Sequence, residues 1–337
     1  NAPSPNVLFS GTVGTAPFTF TYNIDNGPAQ TITTTSGNSI SLPVPTATAG
    51  TFSYHLVSVR DAAGTAGCTQ AMPDTVRISV NPLPTATLTG TTTVCQNATA
   101  PVITFTAAGG SVQPFTFSYT INNGPVQTVS TVSGNSATVS VPTATPGNFV
   151  YDLVSVRDAS ATACSQTQTG SVTVTVNPLP TASLAGTAEV CLNATSPLVT
   201  FTGAGSVAPY TFTYTLNGGP AQTITSTGNT ASITVPTNAA GTFIYTLVSV
   251  RDASAQNCSQ SQTGTATVMV HPLPTAGFTF SAPSCMTRTI NFTDNSTPNV
   301  GALTGWSWNF GDPESGSANT STLQNPTHIF ATAGTYT

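Results

Sequence analysis

The chain repeats itself about every 95 residues, and this repetition limits its possible folds more than any other feature. The phrase Asn-Pro-Leu-Pro-Thr-Ala starts at Asn81 and at Asn177, and His-Pro-Leu-Pro-Thr-Ala starts at His271. A second phrase, Leu-Val-Ser-Val-Arg-Asp, occurs once in each period and ends at Asp61, Asp158 and Asp252. Solenoid units are only about 20–50 residues long. The longer period therefore predicts whole domains in tandem.

The Pro-Leu-Pro phrases predict the boundaries between these domains. Two prolines in four residues restrict φ and remove backbone donors, so such a linker is extended and fairly stiff. We predict three similar repeats and a fourth unit, arranged like beads on a string: residues 1–80 (repeat 1), 81–176 (repeat 2), 177–270 (repeat 3) and 271–337.

Within each repeat, short strands are visible in the sequence. Residues 115–121 alternate apolar and polar side chains, which is typical of a strand with one buried face. The phrase Asn122-Asn-Gly-Pro follows and predicts a tight hairpin, and similar phrases occupy residues 25–28 and 217–220. About seven such strands fit into each repeat. This number and the repeat length predict an all-β fold of tandem immunoglobulin-like β-sandwich domains.

Two details concern the long strand before each Arg-Asp pair. Tyr54, Tyr151 and Tyr245 occupy matching positions early in this strand, where either a tyrosine corner or an ordinary core residue fits. In Leu153-Val-Ser-Val the apolar phase then shifts by one residue. The shift predicts a β-bulge or burial on both faces.

Charge is scarce along the whole chain. The five basic residues are all Arg, the acidic residues number ten, and the net charge is −5. No basic patch can form, so the composition excludes binding to nucleic acid through the phosphate backbone. No apolar run approaches the roughly 20 residues of a membrane helix, and no signal peptide is visible after Asn1. Direct membrane insertion of this segment is therefore not expected.

The six cysteines occupy two recurring positions. One position follows the start of each linker by fourteen residues and holds Cys95, Cys191 and Cys285. The other follows the Arg of each Arg-Asp pair by seven or eight residues and holds Cys68, Cys164 and Cys258. Because Cys-x-x-Cys spacing is absent, a zinc site is not expected. No cofactor is expected either.

The economical pairing places one disulfide in each complete repeat. It joins Cys95 to Cys164 and Cys191 to Cys258, and it leaves Cys68 and Cys285 unpaired in this window. Buried free thiols, or a bond between Cys68 and Cys95 across a linker, are the alternatives. Disulfides would indicate an oxidising, extracellular location.

The same alignment predicts that the protein continues in both directions. Asn1 corresponds to Asn97 and Asn193, which lie just after Cys95 and Cys191. Repeat 1 is therefore expected to lack its first strand and its cysteine. Further domains of the same chain on both sides are the expected partners.

The fourth unit changes character and contains four motifs in order. They are Asn291-Phe-Thr-Asp-Asn-Ser-Thr, Trp306-Ser-Trp-Asn-Phe-Gly-Asp, Asn325-Pro-Thr-His-Ile-Phe and Gly334-Thr-Tyr-Thr. Together they resemble a PKD domain. The resemblance implies a small immunoglobulin-like sandwich with Trp308 in its core and with its final strands missing here. Pro313 stands where the family usually has Gly.

The three repeats are similar to immunoglobulin-like or PKD-like repeats of giant surface proteins in the phylum Bacteroidota. The residues that carry the resemblance are the Pro-Leu-Pro linkers, Thr-Val-Cys95, and Val-Ser-Val-Arg-Asp158 followed by Cys164. The resemblance implies export by a type IX secretion route and a role in adhesion, gliding or surface filaments.

Residues with catalytic or metal-binding chemistry are few. His55, His271 and His328 do not repeat, and the acids are too sparse for the paired carboxylates of glycoside hydrolysis. We therefore predict that the chain is not an enzyme. Asp294 and Asp312 could be calcium ligands, but capping of turns is favoured. Each Arg-Asp pair could contact a ligand, but a local turn or ion-pair brace is favoured.

Covalent modification is a further possibility at the surface. Asp74-Thr75-Val76 fits an O-glycosylation pattern of Bacteroidota at Thr75, and Asn97 and Asn193 begin N-glycosylation sequons. The remaining surface is expected to be rich in Thr, Ser, Asn and Gln, which suits weak polyvalent contacts with surface glycans or neighbouring copies.

The leading functional prediction is a non-catalytic, structural and adhesive segment of a long extracellular bacterial surface protein. One alternative is a subunit of an extracellular filament in which neighbouring chains exchange strands. Another is a spacer or a carbohydrate-binding array of a secreted enzyme.

Overall fold

The computed structural model describes residues 4–63, 65–110, 112–282 and 288–337. The regular secondary structure of these residues is almost exclusively short β-strands, which confirms the all-β prediction. The chain divides into two compact units, residues 1–176 and 177–337. Repeats 1 and 2 lie in the first unit, and repeat 3 and the fourth unit lie in the second.

Repeat 1 forms two sheets. Its seven strands are β1 (Asn6–Ser10), β2 (Thr19–Ile24), β3 (Gln30–Thr33), β4 (Ser39–Pro43), β5 (Gly50–Arg60), β6 (Thr69–Ala71) and β7 (Thr75–Val80). One sheet is the antiparallel pair β1-β4. The other has the order β3-β2-β5-β6, and β7 also pairs with β5.

Repeat 2 has nine strands rather than the expected seven. They are β8 (Pro84–Thr89), β9 (Thr92–Cys95), β10 (Val102–Gly109), β11 (Thr116–Ile121), β12 (Gln127–Ser130), β13 (Ser136–Ser140), β14 (Gly147–Arg157), β15 (Ser165–Thr167) and β16 (Ser171–Asn177). One sheet has the order β13-β10-β8, and the other has the order β12-β11-β14-β16-β9 with β15 beside β14. The segment after the linker thus supplies one short strand to each sheet.

Repeat 3 reproduces this arrangement with β17 (Thr181–Ala185), β18 (Ala188–Cys191), β19 (Leu198–Ala204), β20 (Thr211–Leu216), β21 (Ala221–Thr225), β22 (Thr230–Thr234), β23 (Gly241–Arg251), β24 (Ser259–Ser261) and β25 (Thr265–His271). Its sheets have the orders β17-β19-β22 and β18-β25-β23-β20-β21, with β24 beside β23. The first strand of the larger sheet, β18, runs parallel to the last strand, β25. All other pairings between its strands are antiparallel.

The fourth unit contains shorter strands. They are β26 (Phe278–Phe280), β27 (Ile290–Asp294), β28 (Trp308–Asn309), β29 (Thr320–Ser321) and β30 (Thr327–His328), with a short 3-10 helix at Pro313–Asn319. One sheet has the order β26-β27-β30, and β28 pairs with β29. Trp308 lies among Phe278, Phe292 and Phe310, with ring centroids 5.5–6.4 Å away.

The predicted hairpins are present in all three repeats. Asn122 and Asn123 both have positive φ (50° and 58°), and the Gly124 N–H donates to the Ile121 carbonyl at 2.8 Å. Two consecutive positive φ angles define the type I′ turn that suits the twist of a two-residue hairpin. Asp25-Asn26 and Asn217-Gly218 adopt the same conformation.

The predicted bulge is also present. Ser118 faces Ser155 across β11 and β14, but the next residue, Tyr119, faces Leu153, so Val154 has no partner in this pairing. The same register shift occurs in repeats 1 and 3. The phase change in the sequence therefore marks one extra residue in β14.

Aromatic side chains from both sheets form the core of each repeat. In repeat 2, Phe105 on β10 lies 5.5 Å from Phe117 and 5.0 Å from Tyr119, both on β11. Tyr151 is buried and its ring lies 6.0 Å from that of Tyr119. Burial raises the pKa of Tyr151, and the neighbouring Tyr119 adds to the effect. The matching tyrosines of the other repeats, Tyr54 and Tyr245, are likewise core residues.

Candidate functional site

In repeats 2 and 3 the two cysteine positions lie at opposite ends of the sandwich. In repeat 3, Cys191 is paired in register with His271, and the preceding Val270 is paired with Gly241 at the start of β23. The carbonyl of Cys258 accepts the N–H of Asp252, which directly follows the other end of β23. Eleven residues of β23 separate these ends. The two cysteines are therefore about 30 Å apart along the strand direction.

This separation overturns the predicted disulfides. A disulfide requires Cα atoms about 4.4–6.8 Å apart, so neither predicted pair can form within its own sandwich. Cys164 and Cys191 are free thiols, whereas Cys95 and Cys258 are disulfide-bonded. The pairs Cys95–Cys164 and Cys191–Cys258 are thus wrong. Cys68 is also a free, exposed thiol, and Cys285 lies outside the described residues.

The aspartate of each Arg-Asp pair holds the loop that contains the second cysteine. Oδ1 of Asp158 accepts the hydroxyl of Ser160 at 2.7 Å and the N–H of Cys164 at 3.0 Å. The N–H of Asp158 in turn donates to the carbonyl of Cys164 at 3.0 Å. Asp158 is buried, so these donors compensate its loss of hydration. The local-turn interpretation of the Arg-Asp pair is confirmed.

The same loop recurs in repeats 1 and 3, where the N–H groups of Asp61 and Asp252 also donate to the cysteine carbonyl. Asp61 accepts the N–H of Cys68 at 2.7 Å, and this hydrogen bond is the main cause of its lowered pKa. Asp252 accepts the hydroxyl of Ser254 at 2.7 Å. Arg60 is exposed and donates to the carbonyl of Ala66 within this loop. The recurring geometry positions one cysteine in each of the three repeats.

The outward faces of the sheets carry rows of uncharged hydroxyl groups. Across neighbouring strands these groups form hydrogen-bonded pairs at 2.9–3.2 Å: Thr106 with Ser136, Thr116 with Ser130, Thr200 with Ser232, and Thr211 with Thr225. Cross-strand hydroxyl pairs stabilise sheets modestly. They also leave a hydrogen-bonding surface almost free of charge.

Thr75, the predicted glycosylation site, is exposed at the start of β7. Its Oγ1 lies 2.8 Å from Nδ1 of His55 on the neighbouring strand β5. The side chain is therefore accessible from solvent, although its hydroxyl has a partner. The sequon residue Asn97 is exposed and has a φ of 62°.

Asp294 of the fourth unit ties together three segments by hydrogen bonds. It accepts the indole N–H of Trp306 at 2.8 Å, the N–H of Ser296 at 3.0 Å and the amide of Gln324 at 3.3 Å. The Ser296 side chain and backbone are the main reasons why the pKa of Asp294 falls to about 2. Its oxygens are thus used by protein donors, which confirms the turn-capping interpretation.

Asp312 and His328 form a buried pair. His328 Nε2 lies 2.9 Å from Oδ2 of Asp312, and the same oxygen accepts the N–H of Ala331 at 2.9 Å. Burial raises the pKa of Asp312, but the hydrogen bonds from Ala331 and His328 outweigh it and lower the pKa overall. The imidazole stacks on Phe310 with ring centroids 4.4 Å apart.

Across the described ranges, no group of three or more His, Cys, Asp or Glu side chains could hold a metal ion. The described residues contain no helix that could serve as a membrane span.

One recurrent contact was not predicted from the sequence. The side-chain carbonyl of Gln168 accepts the N–H of Ala86 at 3.1 Å, and Gln262 accepts the N–H of Ala182 at 3.2 Å. Each glutamine thereby forms a hydrogen bond with the first strand of its own repeat, β8 or β17. Met72 occupies the corresponding position in repeat 1, since its N–H bonds to Val57 as that of Gln168 bonds to Val154. The recurrence of Gln at this position in two repeats was the sequence signal that could have indicated the contact.

The fourth unit matches a known domain family. Residues 271–337 match the PKD domain family. This match confirms the resemblance that the four motifs predicted. No curated protein matches the sequence.

Several solved structures are similar to the chain in fold. A Ca²⁺-stabilised adhesin with which an Antarctic bacterium binds ice is 19% identical, with 97% of this chain and 85% of that chain covered and a TM-score of 0.39. The I67–I69 fragment of the titin I-band is 15% identical, with coverages of 80% and 93% and a TM-score of 0.44. A tetra-tandem repeat from the extending region of a large adhesion protein is 15% identical, with coverages of 98% and 85% and a TM-score of 0.28.

Proposed function

We propose that the chain is a non-catalytic, load-bearing segment of a long extracellular bacterial surface protein, built from four tandem domains. Its role is to project an adhesive or motile function away from the cell. Export by a type IX route and origin in Bacteroidota belong to the same proposal and rest on the sequence resemblance of the repeats. The scarcity of charge and the disulfide-bonded Cys95 and Cys258 support an extracellular setting.

The parallel pairing of the first and last strands of the larger sheet carries this proposal. In repeat 3, Ala188 to Cys191 on β18 pair in register with Val268 to His271 on β25. β9 and β16 occupy the same positions in repeat 2. Tension along the chain pulls two such strands in opposite directions. The backbone hydrogen bonds between them are then loaded together in shear, rather than opened one after another.

Single-molecule stretching of the full chain tests the load-bearing role. In reducing buffer, we expect repeats 2 and 3 to unfold as separate events that each release roughly 300 Å of chain. Val190→Pro should lower the unfolding force of one of these events, because proline cannot donate to the neighbouring strand. The backbone N–H of Val190 faces β25. Leu192 lies two residues later on the same side of the strand, and its N–H donates to the carbonyl of His271.

Glu189→Ala is the matched control on the same strand. It removes the exposed contact with His271 at 3.0 Å but keeps every backbone donor. The unfolding forces of repeats 2 and 3 should therefore stay unchanged in this variant. Unchanged unfolding forces in Val190→Pro would show that the parallel pair does not bear the load.

The hydroxyl rows on the outward faces support the adhesive part of the proposal, with surface glycans or neighbouring copies as partners. Weak contacts of this kind gain strength from multiplicity. Beads coated with the chain should bind a polysaccharide surface about 100-fold more tightly than the monomer does. Equal binding of beads and monomer would argue for a spacer, the role that the chain would have beside a secreted enzyme.

A filament subunit that exchanges strands is the second candidate. The scarcity of charge favours it, because neighbouring copies then repel one another little. Strand exchange predicts that chains associate end to end in a concentration-dependent manner, and sedimentation of the chain over a range of concentrations measures this directly. A monomer at every concentration would contradict the filament candidate.

A further inference from the structure

The outer face of the parallel strand pair in repeat 3 brings a thiol, an imidazole and a carboxylate together. Cys191 on β18 is paired in register with His271 on β25, so these two side chains lie on the same face of neighbouring strands. Glu189 lies two residues before Cys191 and therefore shares that face. Its Oε2 is 3.0 Å from Nε2 of His271. We name these three residues the edge cluster, because β18 is the edge strand of its sheet.

The edge cluster holds its nucleophile at a fixed and accessible position. Cys191 is a free, exposed thiol. Its carbonyl accepts the N–H of Ala194 at 3.0 Å, and the N–H of the next residue, Leu192, donates to the carbonyl of His271 at 2.8 Å. These two hydrogen bonds fix the backbone of Cys191 against β25. The thiol therefore keeps its place beside the imidazole and remains open to solvent.

The neighbouring elements add no titratable side chain to the edge cluster. β18 and β25 contain no titratable residue besides these three. Residues 241–243 of β23 are the next neighbours of this end of β25, and they are uncharged. The turn after Cys191, residues 192–194, is uncharged as well. The chemistry of the thiol is therefore governed by His271 and Glu189.

The corresponding position of repeat 2 indicates which ligand suits Cys191. Cys95 ends β9 as Cys191 ends β18, and Cys95 is disulfide-bonded. A second sulfur atom is thus compatible with this place in the fold. Thr93 and Asn177 stand in repeat 2 where Glu189 and His271 stand in repeat 3. Repeat 3 therefore combines a free thiol with a base and a carboxylate that the bonded position does not have.

We propose that Cys191 is a thiol–disulfide exchange site that takes a small soluble disulfide and keeps one half of it as a mixed disulfide. The edge cluster consists of three side chains at a sheet edge, so it recognises the S–S bond itself rather than a large surface. Glu189 is a positioning residue, because its carboxylate holds the imidazole of His271.

The exchange step is balanced without an external oxidant. The proton of the Cys191 thiol moves to the imidazole of His271, and the imidazolium stabilises the thiolate beside it. The thiolate attacks one sulfur of the disulfide, a new S–S bond forms to Cys191, and the old S–S bond breaks. The other sulfur leaves as a thiolate and takes up the proton. One disulfide is consumed and one is formed.

The test incubates the full, unreduced chain with bis(2-hydroxyethyl) disulfide at about pH 7. This probe is uncharged, so attraction to the imidazolium does not contribute to its rate. Peptide mass spectrometry follows the mixed disulfide at each cysteine. His271→Asn introduces the residue that occupies positions 81 and 177, so the variant should fold. It should slow the reaction of Cys191 at least about three-fold, because the thiolate loses its counter-charge. The exposed Cys68 is the internal reference and should react equally in both proteins.

The pH dependence separates this role of His271 from a merely structural one. An ordinary thiol ionises by itself near about pH 8.5, so the unmodified chain and His271→Asn should react equally at about pH 10. A rate difference that persists at this pH would show that His271 acts only through the local structure. Equal rates at pH 7 would show that it does not act on the thiol. Either result would overturn the proposal.

Glu189→Gln supplies an independent variant. It keeps the size of the side chain but removes its charge, and it should slow the reaction of Cys191 about two-fold at pH 7, as expected for an exposed ion pair. Covalent dimers that form through Cys191 without the probe would identify a second copy of the chain as the ligand and would overturn the proposal. Absence of a mixed disulfide at Cys191 in the unmodified chain would overturn it as well.

Discussion

Asp158 shows how one carboxylate can determine the conformation of a loop. Its Oδ1 accepts hydrogen bonds from Ser160 and Cys164, and the side chain is buried. Donors that lose their acceptor in a buried loop cost roughly 1–3 kcal/mol each. The position therefore tolerates an uncharged acceptor better than an apolar side chain.

Asp158→Ala should destabilise repeat 2 by about 2–4 kcal/mol and should speed exchange of the Cys164 amide, because that N–H loses its acceptor. Asp158→Asn should have a smaller effect, since it keeps Oδ1. Hydrogen exchange resolved by mass spectrometry measures both, with repeats 1 and 3 as internal references. An unchanged rate at Cys164 in Asp158→Ala would refute the role of the carboxylate.

Asp294 makes the stability of the fourth unit depend on pH. Its pKa is about 2 in the folded protein, chiefly because of Ser296, and its ordinary value is 3.8. The ionised form is favoured by folding, so this stabilisation is complete above about pH 5 and is lost as the pH falls towards 2. Asp312, whose pKa is also lowered, acts in the same direction.

Acid titration of tryptophan fluorescence can measure this effect, because both tryptophans of the chain, Trp306 and Trp308, lie in the fourth unit. We expect the melting temperature of the fourth unit, followed by this fluorescence, to fall as the pH is lowered from 5 to 2. Asp294→Asn should reduce the slope, leaving the part due to Asp312. An identical slope in the variant would show that Asp294 does not contribute.

At the scale of the element, the hairpin turns are the parts whose conformation follows most directly from the sequence. Asn122 takes the first left-handed position of the turn, and its side-chain oxygen accepts the N–H of Val150 on β14 at 2.8 Å. Asp25 and Asn217 make the same contact in the other repeats, at 2.7 Å each. One residue thus shapes the turn and also attaches it to the neighbouring strand.

Asn122→Ala should destabilise repeat 2 by about 1–2 kcal/mol, because alanine is strained at positive φ and leaves the Val150 N–H without its acceptor. Asn123→Gly is the matched control and should be neutral or stabilising, since Asn123 has a φ of 58° and glycine is favoured there. Urea unfolding followed by exchange of the β11–β12 amides compares them. Equal stability of both variants would contradict this account.

Turns and bulges could be predicted because they depend on nearby residues. Asn-Gly and the phase shift at Val154 are local signals, and both appeared where expected. The disulfides could not be predicted in this way, because residue spacing does not reveal at which end of a sandwich a side chain lies. Cys191 and Cys258 have suitable spacing in the chain, but the register of β18 with β25 places them apart. Recognising this requires the pairing of strands that are about 80 residues apart.

At the scale of the whole molecule, the cysteines are chemically unequal. Cys68, Cys164 and Cys191 are free, whereas Cys95 and Cys258 are disulfide-bonded. Iodoacetamide should therefore label the first three in the native, unreduced chain, and fastest at the exposed Cys68 and Cys191. Cys95 and Cys258 should react only after reduction and unfolding. Peptide mass spectrometry distinguishes the two groups, and protection of Cys164 before reduction would show that Cys164 is not a free thiol.

The parallel pair of β18 and β25 also has a consequence for the order of folding. β18 lies near the start of repeat 3 and β25 at its end, so one cannot pair with the other until nearly the whole repeat has been synthesised or has emerged from an export channel. Contacts between such distant residues form slowly. Each repeat is therefore completed only when its last strand arrives. A chain that leaves the channel with its N-terminus first would fold one domain at a time, and each completed domain would oppose backward slippage.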